Sequence, residues 1–179
     1  VAPEQKIDLS LAAFETAQDQ TTGEIYGEFY NSDLTQREFG VIDFENETRT
    51  TFGTTTKAYV ALGLSSDGYL YGVATDGNLY KIDKTNGAET MIGSTGVQIL
   101  DAEGSYFNQS GEIDQKTNTF YWASVDNQEQ CVLYTVDLTT GAVTKVSDFP
   151  NGDVVLALTV PKPLAAPGAP AAAEELGTA

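Results

Sequence analysis

The stretch YLYGVATDGNLYKIDKTNGAETMIG, from Tyr69 to Gly93, decides the fold. Leu70, Gly72 and Ala74 alternate with other residues up to a turn at Thr75-Asp76-Gly77. The run Leu79 to Ile82 then leads into a second turn, Asp83 to Gly87, and a third short run follows from Glu89 to Ile92. Period-two alternation punctuated by Asp-Gly and Asn-Gly is the strongest local signal for antiparallel hairpins. A further run, Tyr59 to Leu64, precedes the stretch across Ser65 to Gly68. Four antiparallel strands in about 35 residues match the size of one β-propeller blade.

Working outward, the same unit recurs on both sides. Second strands align as Ile25-Tyr26-Gly27, Leu70-Tyr71-Gly72 and Phe120-Tyr121-Trp122. Third strands align as Phe39 to Asp43, Leu79 to Asp83 and Leu133 to Asp137. Equivalent tyrosines lie about 45 to 50 residues apart, the period of a propeller blade. The sequence therefore predicts an all-β partial propeller of three four-stranded antiparallel blades, at about 7–53, 58–93 and 105–147. The first blade is expected to open with a strand from Ile7 to Phe14, and the third with one from Tyr106 to Ile113. An extra strand is expected at 153–160, and the Pro- and Ala-rich segment 161–179 reads as a linker.

The turns share a pentapeptide. It occurs at Asp19 to Gly23, Asp83 to Gly87, Asp114 to Asn118 and Asp137 to Gly141. The Asp carboxylate can accept backbone N–H groups inside such a turn, while Gly or Asn supplies the left-handed residue that closes it. These turns lack the alternating ligands and closing Glu of an EF-hand loop, so calcium is kept only as a candidate ion at the acidic loops.

Composition narrows the chemistry. The chain has 179 residues, a formal net charge of -17, one cysteine and no histidine. Such acidity speaks against nucleic-acid partners and against anionic membrane surfaces, and no run of about 20 apolar residues predicts membrane insertion. Without histidine there are no Ser or Cys triads of the usual kind and few zinc sites. Cys131 reads as a buried structural residue. Glu24, Glu28, Glu38 and Asp43 come from neighbouring strands and read as a solvated acidic face. No catalytic, cofactor or metal-ligating set stands out. Trp122, Tyr121 and Tyr71 are candidate ligand-contact aromatics for a carbohydrate, although packing explains bulky residues at repeat-equivalent positions better.

Propellers close with about four to eight blades. Three blades would leave two apolar faces uncovered, to be met by remaining blades of the same protein or by a second copy. The blocks Glu24-Ile25-Tyr26-Gly27, Asn78 to Gly87, Phe120 to Ala123 and Leu133 to Gly141 resemble the propeller of large secreted or surface proteins of Bacteroides-type bacteria. That resemblance implies a six-bladed or similar ring, followed by a linker and fibronectin-type or adhesin-like modules. It also implies a secreted or cell-surface location and a non-catalytic module that contacts protein or glycan. The alternative is a calcium-dependent propeller hydrolase or lyase whose site further blades complete.

Overall fold

The computed structural model describes residues 13–31, 35–46, 48–99, 109–126 and 128–160. Its strands fall into three antiparallel sheets of four, each taking its strands in chain order. The first contains β1 (Ala13–Gln18), β2 (Ile25–Tyr30), β3 (Arg37–Asp43) and β4 (Thr48–Thr55). The second contains β5 (Tyr59–Leu64), β6 (Leu70–Ala74), β7 (Asn78–Ile82) and β8 (Glu89–Ser94). The third contains β9 (Ser110–Asp114), β10 (Thr119–Val125), β11 (Cys131–Val136) and β12 (Val143–Asp148). This is the meander of a propeller blade, repeated in an all-β partial propeller. Among the described residues, no helix is long and apolar enough to cross a membrane.

The middle sheet explains why the repeats stack. Every residue of β5 and β6 is buried, the pattern of strands covered on both faces. One face, with Leu62, Leu64, Leu70, Tyr80 and Ile82, packs on Ala17, Tyr26 and Phe39 of the first sheet. The other, with Ala61, Tyr71, Val73 and Leu79, packs on Ile113, Phe120, Trp122 and Val136 of the third. Each fully buried Leu, Ile or Val contributes about 1.5–3 kcal/mol, so these two seams dominate cohesion. The repeat tyrosines follow one rule. Tyr26 packs toward the second sheet and Tyr71 toward the third, whereas Tyr121 has no fourth sheet to meet among the described residues and stays half-buried.

A second contact recurs at the outer strands. The register shifts at equivalent places in the last pair of each sheet, between Phe39/Gly40, Leu79/Tyr80 and Leu133/Tyr134. Beside these bulges Gly53 abuts the Asn86 carbonyl, and Gly93 abuts the Thr140 carbonyl. The outer strand of one sheet thus docks on the last hairpin turn of the next, with no room for a side chain. The equivalent residue of the third sheet is Ser147, which is exposed.

Three expectations need correcting. The first strand is Ala13–Gln18; of the expected Ile7 to Phe14 run, residues 7–12 lie outside the described residues. The turn at Asp19 sets the strand's end, so pairing with β2 extends back from Gln18. The third sheet opens at Ser110, with residues 106–108 of the expected strand outside the described residues. No strand forms at 153–160. After a 3-10 turn at Pro150–Gly152, in which Asn151 takes φ 62°, this segment runs as an irregular strap, and Leu158 donates its N–H to Ser110 Oγ at 2.9 Å. An apolar run alone does not make a strand when no sheet edge pairs with it. The proposed linker 161–179 lies outside the described residues.

The docking geometry gives a test. Gly93→Ala places a methyl group against the Thr140 carbonyl and is expected to cost about 1–3 kcal/mol by overpacking. Ser147→Ala, at the equivalent but open position, is expected to stay within about 0.5 kcal/mol of the parent. Chemical denaturation of both variants measures the contrast.

Candidate functional site

The hairpin turns are built as their composition predicts. Asp19 Oδ1 accepts the N–H groups of Thr21 and Thr22 at 2.8 and 3.1 Å. Asp83 Oδ1 accepts the N–H and the hydroxyl of Thr85 at 2.8 and 2.6 Å, and Asp137 does the same with Thr139 at 2.7 and 2.6 Å. Asp114 engages the Lys116 N–H and the Thr117 hydroxyl. Gly87 and Gly141 close their turns at φ 73° and 81°, conformations that L side chains resist, and Asn118 takes φ 55° in the turn without glycine. The turn at Asp43 follows suit, its Oδ1 accepting from Glu45 and Asn46, with Glu47 outside the described residues. Local hydrogen bonds hold Asp43, Asp83, Asp114 and Asp137 below the ordinary carboxylate range. These oxygens serve the turns themselves. Among the described residues, no three His, Cys, Asp or Glu side chains come together as ligands for a metal ion.

Of the three candidate aromatics, Trp122 is 0% exposed, and its indole N–H donates to Gln109 Oε1 at 3.1 Å. Tyr71 is 6% exposed and donates its hydroxyl to Asp67 at 2.9 Å. Both rings stand in the seam between the second and third sheets, because the repeat aims them there. Tyr121 is half-buried, on the free face of the third sheet. Cys131 is buried, with its thiol pushed up by burial.

The acidic face is where the sequence reading fails most clearly. Glu24 is exposed, Glu38 pairs with Arg49 at 2.7 Å, and Asp43 builds its turn. Glu28, by contrast, is 1% exposed. Alternation along β2 points it with Tyr26 into the seam with the second sheet. There it accepts from the Thr55 hydroxyl at 2.6 Å and the Tyr59 N–H at 3.3 Å, with Arg37 3.9 Å away.

Glu28 is one of three buried glutamates near the inner strands. Glu15 on β1 and Glu112 on β9 are 9% and 7% exposed. Burial, then the charges of Glu28 and Glu112, push the Glu15 carboxyl well above its ordinary value. Burial raises Glu28 and Glu112 each to about 7, against the hydrogen bonds that favour their charged forms. The first and third sheets meet here. Gln20 donates its backbone N–H to Gln115 Oε1 at 3.0 Å and its amide to the Ile113 carbonyl at 3.2 Å, while the Gln115 amide donates to the Gln18 carbonyl at 3.0 Å. Above this junction the sheets diverge around a cavity of about 330 Å³, roofed by the strap at 156–160 and lined by Glu15, Glu112, Gln20 and Ser110. Sequence reasoning missed this site. Its signal was a glutamate among the uncharged residues of each inner strand ahead of its turn, Ala13-Phe14-Glu15-Thr16-Ala17 and Ser110-Gly111-Glu112-Ile113, the latter ending at the turn residue Asp114.

Fold and repeat geometry define a β-propeller-like repeat domain. Residues 14–157 match DUF6923, described as a repeat of unknown function, and the chain belongs to that family. No curated protein matches it in sequence. Among solved structures it is similar to a structural genomics protein of unknown function from Bacteroides thetaiotaomicron, at 14% identity and TM-score 0.53 over 73% of this chain and 32% of that one. It is also similar to TolB from Acinetobacter baumannii (17% identity, TM-score 0.49, 73% of this chain and 31% of that one). A third likeness is to a DUF4784 family protein from Bacteroides caccae (14%, 0.47, 82% and 39%). The chain thus spans about a third of the length of the solved structures it matches.

The glutamates set a pH dependence. In the unfolded chain each ionises near pH 4.3 or so, while in the fold Glu28 and Glu112 hold their protons to about 7. The folded state therefore binds more protons across this window. The stability they contribute is full below the unfolded value and is lost as pH rises through the folded one. Thermal unfolding is expected at a lower temperature at about pH 8 than at about pH 5.5, and Glu112→Gln is expected to flatten that slope. Circular dichroism melts across the range measure it.

Proposed function

We propose that this chain is a non-catalytic binding or scaffolding module of an exported bacterial surface protein, contacting a protein or glycan. The observation that carries the reading is the recurrent use of acidic residues as turn builders: Asp19, Asp43, Asp83, Asp114 and Asp137 each spend a carboxylate on their own hairpin. The polar side chains so used maintain a rigid repeated frame, which is the requirement of a presentation scaffold. The surface location rests on the resemblance of Glu24 to Gly27, Asn78 to Gly87 and Leu133 to Gly141 to propellers of Bacteroides-type surface proteins.

The contact surface in this proposal is the free face of the third sheet. It carries half-buried Tyr121, Leu133 and Thr135, in the place where another sheet would otherwise pack. Its partner is a further part of the same polypeptide, a second copy or a separate surface ligand, and light scattering separates the second from the others. Tyr121 is the aromatic left in position to stack on a ligand. It can be truncated without opening either inter-sheet seam.

Glycan-array and immobilised-protein binding test the proposal. Binding is expected to persist in a calcium chelator and to fall about tenfold or more with Tyr121→Ala, while the melting temperature stays the same. Turnover of a bound glycan, or a calcium-linked rise in melting temperature of several degrees or so, would sink the module reading in favour of the metal-dependent enzyme.

A further inference from the structure

The cavity between the first and third sheets has the features of a built site; it adjoins the face invoked above, because Glu112 and Ser110 pair across from Tyr121 and Ala123. Glu15 is nine-tenths buried, yet among the described residues no donor hydrogen-bonds its carboxylate. Its side chain lines the cavity, and among the described residues no fully buried side-chain oxygen or nitrogen lacks a partner. The Glu15 oxygens therefore open onto the cavity space. Glu112 has one oxygen engaged by the Ile113 N–H at 3.0 Å, which leaves the other for an occupant. Evolution of a stable core does not call for an unpaired glutamate, since desolvating a carboxylate without a partner is costly.

The rest of the wall narrows the occupant. Gln20 and Ser110 add polar atoms, while Phe14 and Leu158 add apolar surface. Two acids with a half-apolar wall suit an ammonium head on a short hydrocarbon body better than a bare metal ion, which wants several oxygens in a closed shell. A volume of about 330 Å³ lies at the small end of ligand pockets. The strap that roofs it has one described side-chain hydrogen bond to the sheets, Leu158 N–H to Ser110.

We propose that this cavity binds a small primary amine, with Glu15 and Glu112 as the paired counter-charges and the strap as the apolar lid over its hydrocarbon part.

Charge balance follows. Glu15 faces Glu28 from β2 and Glu112 from β9; Arg37 and the Glu89 charge act on Glu28. The part of the strap over the cavity, 156–160, carries no titratable side chain, and Asp153 lies ahead of it. An empty cavity holds protons on these acids near neutrality, and an arriving ammonium displaces them. Binding therefore releases protons and tightens as pH rises through about 7, the value to which burial lifts Glu112; the amine itself stays charged to about pH 10.

Isothermal titration of the full chain with n-pentylamine, with n-pentanol and calcium chloride as comparison ligands, tests this. The expected result is saturable binding of pentylamine alone, with a buffer-dependent enthalpy at about pH 6.5 that reports proton release. Glu15→Gln is expected to weaken it at least about tenfold, and Glu112→Gln provides the second variant. Both remove a buried like charge, so both should fold, as melts will verify. Calcium binding abolished by Glu15→Gln would overturn the assignment in favour of a metal site. Equal binding of pentanol, or no saturable binding of pentylamine, would overturn it outright.

Discussion

Everything in this molecule depends on the burial of the middle sheet on both faces. The strands Tyr59–Leu64 and Leu70–Ala74 keep no solvent side, so the second repeat has to sit between two others. Its neighbours offer complementary surfaces because the repeat alternates strictly: the Tyr26 and Tyr71 positions lean onto the next sheet, and the Gly72 and Trp122 positions face the previous one. A unit of this size cannot cover its own apolar faces, and stacking supplies the cover. Gly53 and Gly93 complete the arrangement by letting each outer strand meet the next turn at backbone distance.

Charge is distributed according to the same geometry. The turn aspartates Asp43, Asp83, Asp114 and Asp137 are satisfied by the groups of their own turns, so their cost in solvation is small, while Asp19 is buried and also pairs with Lys84 of the second sheet. Glu28 lies inside a seam and is satisfied by the Thr55 hydroxyl, the Tyr59 N–H and Arg37. Glu15 and Glu112 lie where the first and third sheets approach without fusing, and the Glu15 carboxylate has no such partners among the described residues. The three cases form a series of rising electrostatic cost, and the last marks the place in the fold where packing alone gives no account of the residues present.

Much of the architecture was legible in the sequence, for a local reason. Alternation with period two, Asp-led pentapeptide turns and a tyrosine recurring in each second strand specify strands, hairpins and repeats within short windows. The candidate site was not legible. Glu15 and Glu28 sit on paired neighbouring strands, but Glu112 comes from the third sheet, far along the chain, and its meeting with Glu15 depends on how inner strands converge, which no local pattern encodes. Glu28 shows the difficulty well. Glu24 shares its parity but stands just ahead of β2 and stays exposed, and Glu38, opposite Phe29, faces the other way, so only Glu28 is carried into the seam.

The sequence by itself determined the all-β class, the repeat and the turn chemistry, because these rest on backbone preferences and on hydrogen bonds a few residues long. Tertiary structure decided the rest. It set the run of the first strand on to Gln18, the strap in place of a strand at 153–160, the burial of Trp122 and Tyr71, and the cavity between the outer two sheets. Each of these follows from which surfaces are left over once the middle sheet has been enclosed, and that is a property of packing across the whole chain.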